Sequence, residues 1–131
     1  MKATPLTAKT LPDLDARVAR PGYDRSQVSV GIVHFGVGGF HRAHQAMYLD
    51  TLMNEGKALD WGVFGVGVMP SDRAMGEALA KQDHLYTLLV KDGHGNLDAR
   101  VIGSIVATPT PPTTRSGCST CSPRPPPASC R

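Results

Sequence analysis

Val28-Ser29-Val30-Gly31-Ile32-Val33-His34-Phe35-Gly36-Val37-Gly38-Gly39-Phe40-His41-Arg42-Ala43-His44 is the stretch that decides how this chain folds. Val28–Phe35 is a short, β-branched, apolar run, the pattern of a strand buried on both faces of a parallel sheet. Gly36-Val37-Gly38-Gly39 is a turn signal. Beyond it Ala46, Leu49 and Met53 recur at three- and four-residue steps, and Ala43, Met47 and Leu52 widen that stripe, which predicts an amphipathic helix. Asn54-Glu55-Gly56 closes the helix, with Gly56 suited to a left-handed cap.

Working outward, Trp61–Val68 reads as a second buried strand. Pro70-Ser71-Asp72 opens a second helix whose apolar face is Met75, Ala78 and Leu79. Leu85–Val90 is a third strand, Asp92–Asn96 a turn, and Ala99–Val106 a fourth strand. Strand, helix, strand, helix, strand predicts an α/β fold with a doubly wound parallel sheet. Residues 1–27, punctuated by Pro5, Pro12 and Pro21-Gly22, read as an extended arm leading into it.

The composition divides the chain near Val106. All eleven acidic residues precede Ala107, whereas the remainder carries only Arg115, Arg124 and Arg131 as charged residues, so the body is neutral and the net charge of +3 belongs to the tail. That distribution argues against nucleic-acid or membrane-surface partners, which need basic residues gathered on a folded face. There is no apolar run of the roughly 20 residues a membrane span takes, nor a charged-then-apolar leader, and a cytoplasmic protein is the expectation. Residues 107–131 hold seven of the eleven prolines and no large aliphatic or aromatic residue. Such a segment cannot offset its ordering entropy and is expected to be disordered. Cys118-x-x-Cys121 and Cys130 also lie there, without the four suitably spaced ligands that structural zinc requires.

The chemistry concentrates at the first strand-to-helix turn. Glycines there let the backbone come close to a dinucleotide's pyrophosphate, which unpaired N–H groups at a helix start receive. Gly36 and Gly38 fit the G-x-G-x-x-G pattern, while His41 occupies the third glycine position. A turn that merely permits tight packing would use the same glycines.

Gly36–His44 followed by Gln45-Ala46-Met47-Tyr48-Leu49-Asp50 closely resembles the N-terminal fingerprint of the mannitol dehydrogenase family of long-chain polyol dehydrogenases. The resemblance runs on through Asp60–Val63, Gly65–Gly67, Ser71–Arg73, Gln82–Leu88 and Arg100–Ile105, and covers about Leu11–Val106. It implies an α/β fold of truncated, Rossmann-like, doubly wound type: a partial NAD-binding domain over 28–106 and a tail over 107–131. Read in the neighbouring frame with GC-rich codons, Ala107–Ser122 becomes an amphipathic, acid-containing stretch of the family's kind. The tail is therefore expected to be an out-of-frame translation.

The resemblance also implies metal-independent hydride transfer between NAD and a sugar alcohol or its keto sugar, with D-mannitol and D-fructose the leading pair. Fructuronate or tagaturonate reduction and mannitol 1-phosphate oxidation are the alternatives within the family, and a non-catalytic nucleotide-binding fragment is the alternative outside it. On this analogy the backbone of Gly36, Val37, Gly38, Gly39 and Phe40 receives the pyrophosphate. Arg42 adds a charge-assisted contact, its other reading being an ordinary surface arginine.

Asp72 accepts from the adenosine ribose and repels a 2′-phosphate, or serves as a helix N-cap. Arg73 beside it leaves NADP open. His34, His41 and His44 lack a carboxylate that would complete a metal site, so no metal is expected. The family's general base, a lysine, belongs to a substrate domain. Lys57, Lys81 and Lys91 match none of its motifs, and no residue is assigned as catalytic.

Overall fold

The computed structural model describes residues 4–109. The tail expected over 107–131 is corrected at its start, since Ala107 ends a strand that pairs with Phe64; its remaining expectations, including its cysteines, fall on residues 110–131 and lie outside the described residues. Eight elements follow the arm: β1 (Val30–Phe35), α1 (Gly39–Ala43), α2 (Gln45–Asn54), β2 (Gly62–Val66), α3 (Asp72–Lys81), β3 (Tyr86–Lys91), β4 (Leu97–Ile102) and β5 (Ile105–Ala107). The expected α/β order is present, and β1, β2 and β5 form a parallel sheet in that spatial order, Rossmann-like in plan.

Two strand assignments are corrected. The third predicted strand does not join the parallel sheet; β3 pairs antiparallel with β4, from Tyr86 opposite Ile102 to Lys91 opposite Leu97. A parallel pair needs a crossover of about a dozen residues, and the Asp92–Asn96 turn is too short to provide one. Within it the Asp92 carboxylate accepts from the amides of His94 and Asn96, at 2.8 and 2.9 Å. The predicted strand Ala99–Val106 is likewise two strands, β4 and β5, separated at Gly103-Ser104. The third place in the parallel sheet belongs to β5, with Ile105 beside Val63.

Burial of β1 on both faces is also corrected. Ile32 and His34 turn toward the core side, but Val33 is 57% and Phe35 67% exposed. Among the described residues no strand pairs with the second edge of β1.

The predicted long helix is broken. His44 (φ −119°, ψ −84°) separates α1 from α2. Its imidazole Nδ1 lies 2.9 Å from the Phe40 carbonyl, the oxygen that also accepts the His44 amide at 3.0 Å. Local side-chain competition for a helix carbonyl is a known way to interrupt regular geometry. The other end forms as read: Gly56 has φ +74°, its N–H donates to Met53, and that of Lys57 donates to Leu52. This is the 5→2 and 6→1 pair of a Schellman cap.

The core is Ala46 from α2, Val63 from β2, Leu79 from α3, Tyr86 from β3, Ile102 from β4 and Ile105 from β5, with Val37 closing its upper end. Burying each large aliphatic side chain contributes about 1.5–3 kcal/mol. The hairpin therefore packs on the same core as the sheet. No helix among the described residues is long and apolar enough to cross a membrane.

A buried carboxylate joins the parts. Asp50 on α2 is 1% exposed and accepts from four donors: Tyr23 Oη (2.7 Å), the Gly103 amide (2.9 Å), Arg100 Nη2 (3.1 Å) and Asn54 Nδ2 (3.2 Å). Burial, and then the neighbouring Asp50 charge, push the Tyr23 phenol well above its ordinary range. The arm is also bridged to the hairpin, since the Ala19 amide donates to Ala99 and that of Val101 to Ala19. Removing one member of a buried pair costs about 3–5 kcal/mol because the other charge stays desolvated. Asp50→Ala is expected to lower unfolding stability by that amount in urea titration. A loss under about 1 kcal/mol would show that the arm and hairpin are held by packing alone.

Candidate functional site

The glycine turn begins where β1 ends. Gly36 has φ +85°, a left-handed conformation that only glycine adopts without strain, and its N–H donates to Val66 at 2.8 Å. The Gly38 N–H turns back to the Gly36 carbonyl at 2.8 Å. Of the five amides expected to receive a pyrophosphate, those of Gly36 and Gly38 are thus engaged within the protein. Val37, Gly39 and Phe40 have no acceptor for theirs among the described residues, and the last two lie in the first turn of α1, where helices leave N–H groups unpaired.

The space over the turn is kept open. A Cβ placed on Gly38 or Gly39 would meet nothing within 4 Å, so neither is glycine for want of room. Gly65 is the contrary case, for a Cβ there would collide with Val37 Cγ2. The glycine in β2 lets the Val37 side chain drop onto the sheet and seat the turn. Gly67 similarly admits Asp72, whose Cβ would lie 2.8 Å from an added methyl.

Asp72 stands at the carboxyl end of β2, as the first residue of α3. Its Oδ2 accepts from the amides of Val68 and Met69, at 2.9 and 3.0 Å, and so closes the loop between β2 and α3. The N-cap expectation is corrected: Ser71 takes that position, without a side-chain bond, because Asp72 already has helical geometry and reaches backward instead. Asp72 Oδ1 has no protein partner among the described residues. Val37, Gly67, Met69, Asp72, Met75 and Thr108 line a cavity of about 770 Å³ across the carboxyl ends of β2 and β5. Val37 and Asp72 are thus brought to one site, with Arg73 and Lys81 on its wall.

Arg42 is placed elsewhere. Its guanidinium carbon lies 5.7 Å from the Tyr86 ring centroid, its Nε is buried without a partner, and its carbonyl accepts from Tyr86 Oη at 2.6 Å. This is neither a free surface arginine nor a residue on the cavity wall. Phe40 is 80% exposed and stacks on His44, with ring centroids 4.2 Å apart.

Sequence reasoning did not find the ring pair between β1 and α1. His41 stacks on His34 of β1, centroids 3.7 Å apart and planes at 16°. Burial first, then the nearby His34 and Arg42, lower His41 from 6.5 to about 4. The signal was present: the residue replacing the third glycine of the pattern must fill the space that glycine leaves. Among the described residues no group of three His, Cys, Asp or Glu side chains could hold a metal ion.

A glycine turn at the carboxyl end of the first strand of a parallel sheet, with a carboxylate at the end of the second, defines a Rossmann-type domain. The sequence model of one family, described as the mannitol dehydrogenase Rossmann domain, matches residues 30–117. The chain belongs to the mannitol dehydrogenase family. It is 46% identical over 104 residues to the mannitol 2-dehydrogenase of Pyricularia oryzae, covering 76% of this chain and 20% of that protein. To the enzyme of the same name from Cereibacter sphaeroides it is 53% identical over 89 residues, 68% of this chain and 18% of the other. Among solved structures, Pseudomonas fluorescens mannitol 2-dehydrogenase, in ternary complex with NAD and D-mannitol, superposes with a TM-score of 0.77 and 45% identity over 80% of this chain and 21% of that one. A substrate-free D-sorbitol dehydrogenase gives 0.70 and 37%, over 79% and 21%. The chain thus spans about a fifth of the length of the relatives it matches.

The lowered His41 value has a consequence for stability. The unfolded imidazole takes its proton near 6.5, the folded one only near 4. Between those values the unfolded state binds more protons, so stability is full above about pH 6.5 and falls as the pH drops toward 4, by on the order of 3 kcal/mol. Denaturant midpoints measured from pH 7 to 4.5 are expected to fall more steeply in the wild type than in His41→Phe. Parallel curves would show that His41 does not contribute.

Proposed function

We propose that this chain is the cofactor-binding part of an NAD-dependent polyol oxidoreductase that interconverts D-mannitol and D-fructose. The observation that carries the reading is the convergence of three unbonded amides, Val37, Gly39 and Phe40, with a carboxylate oxygen of Asp72 at the same end of one parallel sheet. The amides donate to the pyrophosphate and the open ground above Gly38 and Gly39 admits it. The cavity between α3 and the ends of β2 and β5 takes the adenosine half. There Asp72 Oδ1 accepts from a ribose hydroxyl while Oδ2 stays tied to the loop, and its charge repels a 2′-phosphate. Arg73 and Lys81 on the wall keep NADP a weaker second cofactor. Arg42, held inward over Tyr86, supports the pyrophosphate through its positive charge rather than through a contact seen in the fold.

Bound NAD supplies the hydride acceptor at its nicotinamide ring. No residue of this chain is assigned to take the alcohol's proton. We place the arm at residues 1–27, the partial cofactor domain from residue 28 through β5 and the tail beyond it, in a cytoplasmic protein whose small-molecule partner is a polyol or keto sugar. Two relatives called mannitol 2-dehydrogenase, and a neighbour solved with NAD and D-mannitol, support this substrate pair. The D-sorbitol enzyme among the neighbours, at lower identity, supports sorbitol as the second choice.

Gly38 provides the test, because its φ of −80° and ψ of −179° suit any residue, unlike the positive φ of Gly36. Gly38→Val should weaken NADH binding, followed by nicotinamide fluorescence, at least tenfold while leaving the melting temperature within about 2 °C. Equal affinity for the two proteins would remove the dinucleotide from this turn. The 131-residue chain by itself should reduce no NAD with mannitol. Turnover would show that a proton acceptor lies within it.

A further inference from the structure

We propose that the stacked imidazoles of His34 and His41 set the distance at which the glycine turn stands off from β1, making His41 a positioning residue for the anion-binding amides. This rests on the dinucleotide reading for what the amides bind, but not for how they are held.

In the G-x-G-x-x-G pattern the third glycine lets the helix lie directly against the strand. Here the same position carries an imidazole, buried and stacked on the His34 ring of β1. His34 is the penultimate residue of β1 and His41 the third residue of α1, so the stack clamps the two ends of the turn face to face at 3.7 Å. His41 is only 5% exposed, yet neither of its ring nitrogens has a hydrogen-bond partner. A polar ring buried in that way is held by its faces, not by its edges.

Little else restrains the turn. Gly38, Gly39 and Phe40 are exposed, and α1 ends after five residues at the His44 break. The ties from the turn and α1 to the strands are Gly36 N–H to Val66, the seating of Val37 and the Tyr86 hydroxyl on the Arg42 carbonyl. Of these, the first two fix the β1 side and the last fixes the far end of α1. Between them the Arg42 amide on the Gly38 carbonyl and the His44 amide and ring on Phe40 tie this segment to itself, and the ring pair is what ties it to β1.

The test is a double-mutant cycle on the full 131-residue chain with two readouts. One is amide exchange at Gly36 and Arg42, whose N–H groups bond at the turn's two ends, to Val66 at 2.8 Å and to Gly38 at 3.1 Å. The other is the NADH dissociation constant. His34→Ala and His41→Ala should each speed Arg42 exchange and weaken NADH about tenfold, and the double variant should be no worse than either, since the rings act as one unit. His41→Phe keeps a stacking face without nitrogens and should restore both readouts to within about threefold. Should the alanine variants not fold, His41→Leu against His41→Phe poses the same question with similar bulk. Effects that add in the cycle, or a phenylalanine variant as impaired as the alanine or leucine one, would overturn the proposal. A wild type that binds no NADH would instead sink the dinucleotide reading, and the exchange cycle would still judge the stack.

Discussion

The structure depends on how the backbone turns at Gly103-Ser104, and on the buried Asp50 carboxylate that holds that turn. Up to Ile102 the chain runs in an antiparallel hairpin; from Ile105 it runs parallel to β2. The Gly103 amide donates to Asp50, the Ser104 hydroxyl to the Ala46 carbonyl at 2.6 Å, and the Ser104 carbonyl accepts from Val63. Two residues thus transfer the chain from one sheet to another while fully buried. Buried backbone groups need partners, and three elements provide them: α2 through Asp50, β2 through the Val63 amide, and the arm through Arg25 Nε, which donates to the Gly103 carbonyl at 3.0 Å. With Tyr23 and Arg100 on the same carboxylate, one helix face locates arm, hairpin and sheet together.

That constraint places the site. By delivering β5 beside β2, it brings Thr108 to the wall of the cavity that Val37 and Asp72 also line. The hairpin that precedes the joint provides Tyr86, whose hydroxyl and ring face hold Arg42. The glycine turn is thus seated by Val37 against Gly65, by Tyr86 on Arg42 and by the His34–His41 stack.

The two ends of the parallel sheet differ in their chemistry for a physical reason. Parallel strands all present carboxyl ends on one side, where the loops must reverse direction and where helix starts leave N–H groups unpaired. Asp72 illustrates the economy of that end: on a residue that lines the cavity, one carboxylate oxygen ties the loop while the other has no protein partner among the described residues. A carboxylate has about four acceptor positions, so a structural and a recognition role can share one side chain.

By itself the sequence determined the periodic elements: the β1 and β2 runs, the apolar face of α2, the Gly56 cap, the turn at Asp92–Asn96 and the glycine turn with its candidate residues. These are local, written in spacings of two or of three to four residues and in the few residues that tolerate positive φ. What only the tertiary structure decided is pairing and partnership. Whether Tyr86–Lys91 enters the parallel sheet depends on which strand occupies the place beside β2, and the alternation of its residues is the same either way. That Asp50 is buried, that Arg42 turns inward over Tyr86, that Gly36 and Gly38 have spent their amides, and that His41 rests on His34 are all contacts between residues set by distance in space. No periodicity encodes such contacts, because each depends on two segments meeting.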